Sequence, residues 1–439
     1  MDEIENLIVG SGIAGLSVAY HLKENGHEFI IIDIKKPGGL CSTIRSRGFF
    51  FDITGHVIHC QTEYYTKFIK RIMGKNLLYL KRKAYFIFRQ HLAPYPFQVY
   101  FYKIPEKNVV DECINGLIDV IKSESITPKN FKEWIIANFG MGISKYFMIP
   151  YNEKVWRFPL EQMSLHWVNK YVPKLDPKYL LKIVKAASTT EKEYGYNVYF
   201  FYPKEGGIQA VIDSIIMKMG EEFNKSFKML RLNKVDPFKK EATLSNGMRI
   251  KWKRIITTIP LPEFVSILKR VPVSIKSYTR KLKCVSLLSL NLGIKGKLET
   301  DAHWIYFPER NVPFHRVVIQ SNLSPYVAPD STYSLIVEKS FKFGDKIHRK
   351  NIINRMITQL RKIGLIKSKD DILSVNVNYI KYAYPIYDFD WHESRSKVLS
   401  FLKQHDIYSI GRFGSWEYLS MEDAFMQGKD VTAKLISSF

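Results

Sequence analysis

The sequence predicts an α/β protein in which a nucleotide-binding domain, assembled from separate stretches of one chain, carries a helical domain and an antiparallel-sheet domain. Three observations predict it. The first forty residues alternate strand, glycine turn, helix and strand; residues 101 to about 187 carry helical periodicity broken by Pro128, Pro150, Pro159 and Pro173; residues 284–340 run apolar or alternate as extended sheet does. The expected division is 1–98, 196–275 and 395–439 for the three parts of the nucleotide-binding domain, 99–195 for the helices and 276–394 for the second sheet. A chain of 439 residues has room for such an interleaved arrangement.

In chain order, NLIVG is a short apolar strand, SGIAGLSVAYHLKENG a helix opened by small residues and closed by Asn-Gly, and HEFIIIDI a buried strand. Gly10, Gly12 and Gly15 form G-x-G-x-x-G between the first strand and the helix, with Ala14 inside the motif. The first glycine permits the tight turn, the second lets backbone approach a pyrophosphate, and the third lets helix and strand close together. The helix N-terminus then faces the phosphates. Asp33 ends the second strand where a carboxylate accepts from ribose hydroxyls. The unit is therefore a Rossmann-type dinucleotide site. Later, KEGGIQAVIDSIIMKMGEEF restarts a helix, KWKRIITTIPLPEF is a strand running into a proline turn, and MEDAFMQGKDVTAKLI is a closing helix.

Composition narrows the partners. Lys and Arg number 66 against 42 Asp and Glu, a formal charge of +24, which favours anionic partners: nucleic acid, acidic lipid or a phosphorylated small molecule. Basic residues concentrate from Lys67 to Arg89, interleaved with Tyr, Leu and Phe, a pattern also expected of an ordinary solvated face. No nucleic-acid-binding signature accompanies them, so nucleic acid is not expected. No stretch is long and apolar enough for a membrane span and no signal peptide is evident, so a cytoplasmic protein is expected, with peripheral membrane association left open. Cys41, Cys60, Cys113 and Cys284 lack the spacing of a metal site or a disulfide framework, and free thiols and no metal are expected.

Beyond the glycines, several blocks resemble a known family. GGLCST at 38–43, with Gly39 and Leu40, resembles the second Gly-Gly signature of FAD proteins of the amine-oxidase and protoporphyrinogen-oxidase type. RIITTIP at 254–260 is similar to the segment that returns to their FAD domain, and SIGRFGSW at 409–416 to their flavin-covering loop. Within that superfamily, GHVIHC (55–60), PYPFQ (94–98), YNEKVW (151–156), NVPFHRVV (311–318), YPIYD (384–388) and GRFGSWEYLSM (411–421) resemble, in order and spacing, the blocks of UDP-galactopyranose mutases. Those enzymes carry YTEKQW, NVPYTRII, YPVND and GRLAEYKYYDM in the corresponding places. FAD rather than NAD is thus implied.

The resemblance implies a nucleotide-diphosphate sugar as substrate and pyranose–furanose interconversion through a reduced flavin whose N5 attaches to the sugar. It assigns Arg316, Arg412, Tyr418 and Tyr384 to the diphosphate and sugar, Tyr151 and Trp156 to the nucleotide pocket, and His59 to the flavin edge. Gly411, Arg412, Tyr418 and Met421 would help hold the cofactor, and His59, Arg316 and Arg412 would serve catalysis. For His56 the residues allow either a site role or a satisfied buried histidine. Lys170 and Tyr171 stand where the mutases have a second substrate arginine, and Leu419 and Ser420 replace a tyrosine and an aspartate. Arg157 offers itself as a substitute phosphate partner. Two alternatives stay open at this level: an FAD-dependent oxidoreductase of the protoporphyrinogen oxidase, amine oxidase or desaturase type, and a flavin-binding scaffold without catalysis. The oligomeric state is not implied.

Overall fold

A computed structural model describes residues 3–123, 127–168, 172, 175–186 and 198–437. Its first sheet is built around strand Glu3–Val9. Leu7, Ile8 and Val9 pair in parallel with Ile30, Ile31 and Ile32 on one side and with Ile255, Ile256 and Thr257 of strand Arg249–Thr257 on the other. Strand Ile407–Ser409 extends the parallel ladder beyond 249–257, so three distant stretches meet in one sheet. Leu7, Ile8, Ile31, Ile255 and Ile256 are fully buried, which is why these strands are continuous apolar runs and not alternating ones.

The helix Ile13–Glu24 is buried from Ile13 to Leu22 because it lies between the sheet and the closing helix Met421–Ile436. A Cβ on Gly428 would stand 2.7 Å from the Ser17 Cβ, so the two helices meet this closely only through glycine.

The second sheet has strand order 372–385, 284–295, 332–342, 316–319, 304–306, 84–88, 91–94. It is antiparallel except where 304–306 runs parallel to 84–88. The hairpin at 84–94, expected within the first nucleotide-binding segment, instead continues this sheet. Its strand 84–88 covers the otherwise open edge at 304–306, and its buried Phe86 and Phe88 pack against Phe97, Phe147 and Tyr146 of the helical block. One face of the sheet, with Leu288, Leu290, Val337 and Phe341, packs under the helix Arg349–Lys362 through Met356 and Leu360. Alternation along the strands sends Glu338 and Arg316 to the other face.

The helical block packs against the second sheet, where Phe97 and Phe147 meet Phe86. Helices Lys107–Lys122 and Phe131–Ile143 cross closely at glycines: a Cβ on Gly142 would meet the Cys113 Cα at 2.5 Å. A π-helical turn, Ser144–Met148, leads without interruption into helix Ile149–Trp156, so Pro150, expected to break the helical periodicity, is accommodated just after the π turn. Arg157, with φ 48°, ends this helix in the left-handed conformation.

Candidate active site

The second sheet, the helical block, the 54–61 turn and the 412–423 segment line a cavity of ≈ 370 Å³. Helix 149–156 contributes Tyr151 and Trp156; strand 316–319 contributes Arg316; strand 372–385 contributes Tyr384; the 54–61 turn contributes His56 and His59; the 412–423 segment contributes Arg412, Tyr418 and Met421. Every substrate residue expected from the sequence lines this one space.

Trp156 is 4% exposed; its indole N–H donates to Asn152 Oδ1 at 3.2 Å, and its ring meets Trp167 and Tyr384 edge-on. Tyr151 stacks on Phe147 with centroids 5.3 Å apart and meets Tyr306 edge-on. Burial pushes both the Tyr151 and the Tyr384 phenols above their ordinary values, so both are neutral hydroxyl donors.

The two arginines are held differently. Arg412 donates Nε and Nη2 to the carbonyl of Leu419 at 3.0 and 2.6 Å, with its guanidinium 4.6 Å from the Tyr418 ring centroid. Arg316 donates Nε (2.8 Å) and Nη2 (2.5 Å) to Glu338 Oε2, a carboxylate with no exposed surface whose other oxygen accepts the Gly55 N–H at 3.1 Å. Burial opposes the Arg316 charge most, but Glu338 together with Tyr384, Tyr306 and Tyr151 outweighs it and the guanidinium stays ionised. Arg316 and Glu338 thus form an internally neutralised pair, and Arg316 is one of three arginines, with Arg82 and Arg412, that line the cavity.

Both histidines of the GHVIHC turn are neutral at pH 7. Burial first, then the charge of Arg412, pushes His56 down to about 3; burial, then Arg82, pushes His59 down to about 4. His56, whose Nδ1 lies 2.9 Å from the Thr54 hydroxyl, feels both Arg412 and Arg316, whereas His59 is turned toward Phe200 and Arg82 and keeps a buried Nδ1 with no partner. It is thus His56 that stands with the arginine pair.

The remaining expected cofactor residues lie outside the cavity lining, at the start of helix 13–24. Asp33 Oδ2 accepts both the N–H and the hydroxyl of Ser11 at 2.7 Å, fastening the glycine turn to the end of the second strand. Gly38 donates to the Ser11 carbonyl, Gly39 lies against Gly12, and a Cβ on Gly411 would come within 2.9 Å of the Ala14 Cβ. A Cβ on Gly15 would collide with the Gly10 carbonyl at 1.9 Å, whereas one on Gly12 would stand in open space. Helix 13–24 has no side-chain cap and no acid in its first turn, so its leading N–H groups are free for an anion. These features fit a dinucleotide pyrophosphate. Leu40 packs on Leu287, Ile380 and Ala383, at the seam between the glycine turn and the second sheet.

Lining residues outside every recognised block are Arg82, Tyr306 and Trp167, while Tyr95, Gln98 and His315 lie within recognised blocks but were assigned no role. His315 sits inside a recognised block, beside Arg316; burial pushes its pKa well below the ordinary value. Arg157, expected as a substitute phosphate partner, does not line the cavity: its side chain is exposed past the end of the helix. Lys170 and Tyr171 lie outside the described residues. Burial pushes all four cysteine thiols up to about 12, so none is a thiolate, and all four are free. Among the described residues no helix is long and apolar enough to cross a membrane.

Comparison with known proteins defines the class. The profile of the flavin containing amine oxidoreductases matches residues 13–436, and the chain belongs to that family. It is a flavoprotein with FAD as its cofactor. Within the family it falls in the branch of the UDP-galactopyranose mutases. The crystal structure of a reduced UDP-galactopyranose mutase superimposes with a TM-score of 0.93 at 26% identity, covering 100% of this chain and 95% of that one. A putrescine oxidase bound to putrescine shares the fold, with a TM-score of 0.69 at 14% identity over 99% of both chains. An uncharacterised protein of the nifH2 3′ region of Methanothermococcus thermolithotrophicus is 36% identical over 52 residues, 12% of this chain and 51% of that protein. The chain thus spans about half the length of that curated relative.

Proposed function

We propose that this flavoenzyme binds a nucleotide-diphosphate sugar in the cavity and interconverts its pyranose and furanose forms. The observation that carries the reading is the convergence of Tyr151, Trp156, Arg316, Tyr384, Arg412 and Tyr418 on one enclosed space in a chain that matches a mutase over its whole length. When bound and reduced, FAD supplies the nucleophilic nitrogen. The protein supplies binding and orientation.

Arg412 carries an uncompensated charge and, with the hydroxyls of Tyr384 and Tyr418, suits a diphosphate. Arg316 is fixed by Glu338 in one orientation, so it presents a directed donor and little net field. Tyr151 and Trp156 offer an aromatic wall for a planar base, and Trp156 is locked by Asn152. His56, neutral and bonded to Thr54, accepts or donates at the sugar end without adding charge.

The purified yellow protein, reduced by dithionite without oxygen, is incubated with UDP-, GDP- and dTDP-sugars, and furanose formation is followed by chromatography and NMR. One sugar nucleotide should exchange ring size. No exchange from any of them, with flavin bleached by an amine, porphyrinogen or polyene in the absence of dithionite, would assign the cavity to oxidation.

A further inference from the structure

The basic, aromatic stretch 67–89 gives only Arg82 to the cavity described above, and the fold puts the rest of it to another use. Strand Leu78–Lys81 pairs antiparallel with Tyr199–Tyr202 in a two-stranded ribbon, with Tyr79 opposite Phe201 and Lys81 opposite Tyr199. Alternation sends the buried Phe200 and Tyr202 to the inner face, where Phe200 meets Trp304 edge-on at 5.2 Å. On the outer face Tyr79 stacks nearly parallel on Tyr199, with centroids 5.2 Å apart, and meets Phe201 at 4.8 Å. Helix Glu63–Met73 adds Lys70, whose ammonium lies 5.7 Å from the Phe201 ring centroid. Together with Cys60, Thr66, Val198 and Phe200 these side chains line a second cavity of ≈ 660 Å³, which shares no lining residue with the first.

Cross-strand aromatic pairs by themselves hold a ribbon together. That role does not account for a hollow around rings that stay open to solvent, Tyr79 at 62% and Tyr199 at 42% exposure. Nor does it account for Lys70. Among the described residues Lys70 makes no ion pair, whereas Lys67 on the same helix is held by Glu63 at 2.6 Å. The Thr66 hydroxyl is spent on the Thr62 carbonyl at 2.7 Å, and Cys60 is a neutral thiol. Lys70 is therefore the only charge among the described lining residues, and it stands at the edge of an aromatic floor.

We propose that this second cavity binds a free nucleotide, with the base on the open face of Tyr79 and the phosphate at Lys70. A purely apolar ligand would leave the lysine unused, and a bare phosphate would leave the rings unused; a nucleoside phosphate uses both. Tyr79 is braced from beside by Tyr199 and Phe201, so the stacking surface is already in place before a base arrives. The cavity has the size of a small-molecule site and not of an extended groove, which favours a mononucleotide over a nucleic-acid chain. The proposal is independent of the reaction assigned to the first cavity.

The FAD-loaded protein is dialysed to equilibrium against labelled UMP and, separately, labelled AMP at low ionic strength. For at least one of them a bound equivalent is expected that Tyr79→Ala weakens by about tenfold, Tyr79→Phe preserves and Arg412→Ala leaves in place. Lys70→Met and added salt should each weaken it further. Tyr79 and Lys70 are both exposed, so their variants keep the fold, which retained flavin absorbance confirms. Equal affinity in wild type and Tyr79→Ala overturns the site. So does the finding that neither nucleotide leaves a bound equivalent on the Arg412→Ala protein.

Discussion

Arg412 spends two of its N–H donors on the carbonyl of Leu419, so its remaining donors are aimed by the backbone and lose little entropy on meeting a ligand. Arg412→Ala should weaken nucleotide-sugar binding by about 1.5–3 kcal/mol, read as a ten- to roughly hundredfold rise in Kd; an unchanged constant removes it from the site. Gly12 makes a sharper test because its Cβ position is empty in the protein itself. Gly12→Val should leave the apoprotein's thermal transition in place yet yield colourless protein, and a yellow, fully loaded variant refutes the pyrophosphate assignment. The expected substrate residues were legible because six blocks recur in order around the cavity. Glu338 was not: it meets Arg316 across neighbouring antiparallel strands, a pairing that register decides and no local motif records. The spacing of His56 and His59 places both in one turn, but only the fold shows that His56 is the one beside Arg412 and Arg316.

At the scale of elements, the closing helix 421–436 begins where the cavity's lining ends. Ser420 caps it: the hydroxyl accepts the Asp423 N–H at 3.1 Å and the Asp423 carboxylate accepts the Ser420 N–H at 2.8 Å, a reciprocal capping box. The residue that departs from the mutase aspartate therefore has a structural role of its own. Ser420→Ala should cost about 1 kcal/mol, measured as a lower urea midpoint, and should loosen FAD retention because Met421 and Asp423 line the cavity. Helix positions followed from periodicity, but Pro150, which the sequence reads as a break, stands within one helical run because the π turn at 144–148 precedes it. The placement of hairpin 84–94 did not follow, since an alternating apolar pair fits either sheet edge and only the open edge at 304–306 selects one.

For the whole molecule, buried ionisable groups set the response to acid. His56, His59 and His303 are pushed by burial to about 3, 4 and 4, below the ordinary 6.5, so the stability they contribute is complete above 6.5 and lost as pH falls toward 4. Asp52, pushed by burial from 3.8 up to about 6 despite accepting from Thr43, Tyr202 and the Ile208 N–H, acts in reverse: its contribution is complete below 3.8 and lost as pH rises through 6. His21 and His315 are pushed down by burial as well, so five imidazoles against one carboxyl predict a net loss as pH falls below 6.5, approaching about 1.4 kcal/mol per pH unit for each histidine that stays neutral. Urea midpoints should fall from pH 7 to 5, more shallowly for His303→Asn; a flat profile contradicts the buried neutral state.

The central strand Glu3–Val9 completes its ladder only with 249–257, and the hairpin 84–94 finds its neighbour only at 304–306. During synthesis the first βαβ unit therefore waits for a partner not yet made. At ordinary translation speeds that wait lasts roughly ten to fifty seconds. Through it, the fully apolar edge of Leu7 to Val9 is open to any other strand in the cell. Slower elongation should therefore prolong the exposure of that edge, and a nascent-chain chaperone that covers it should raise the yield of folded protein.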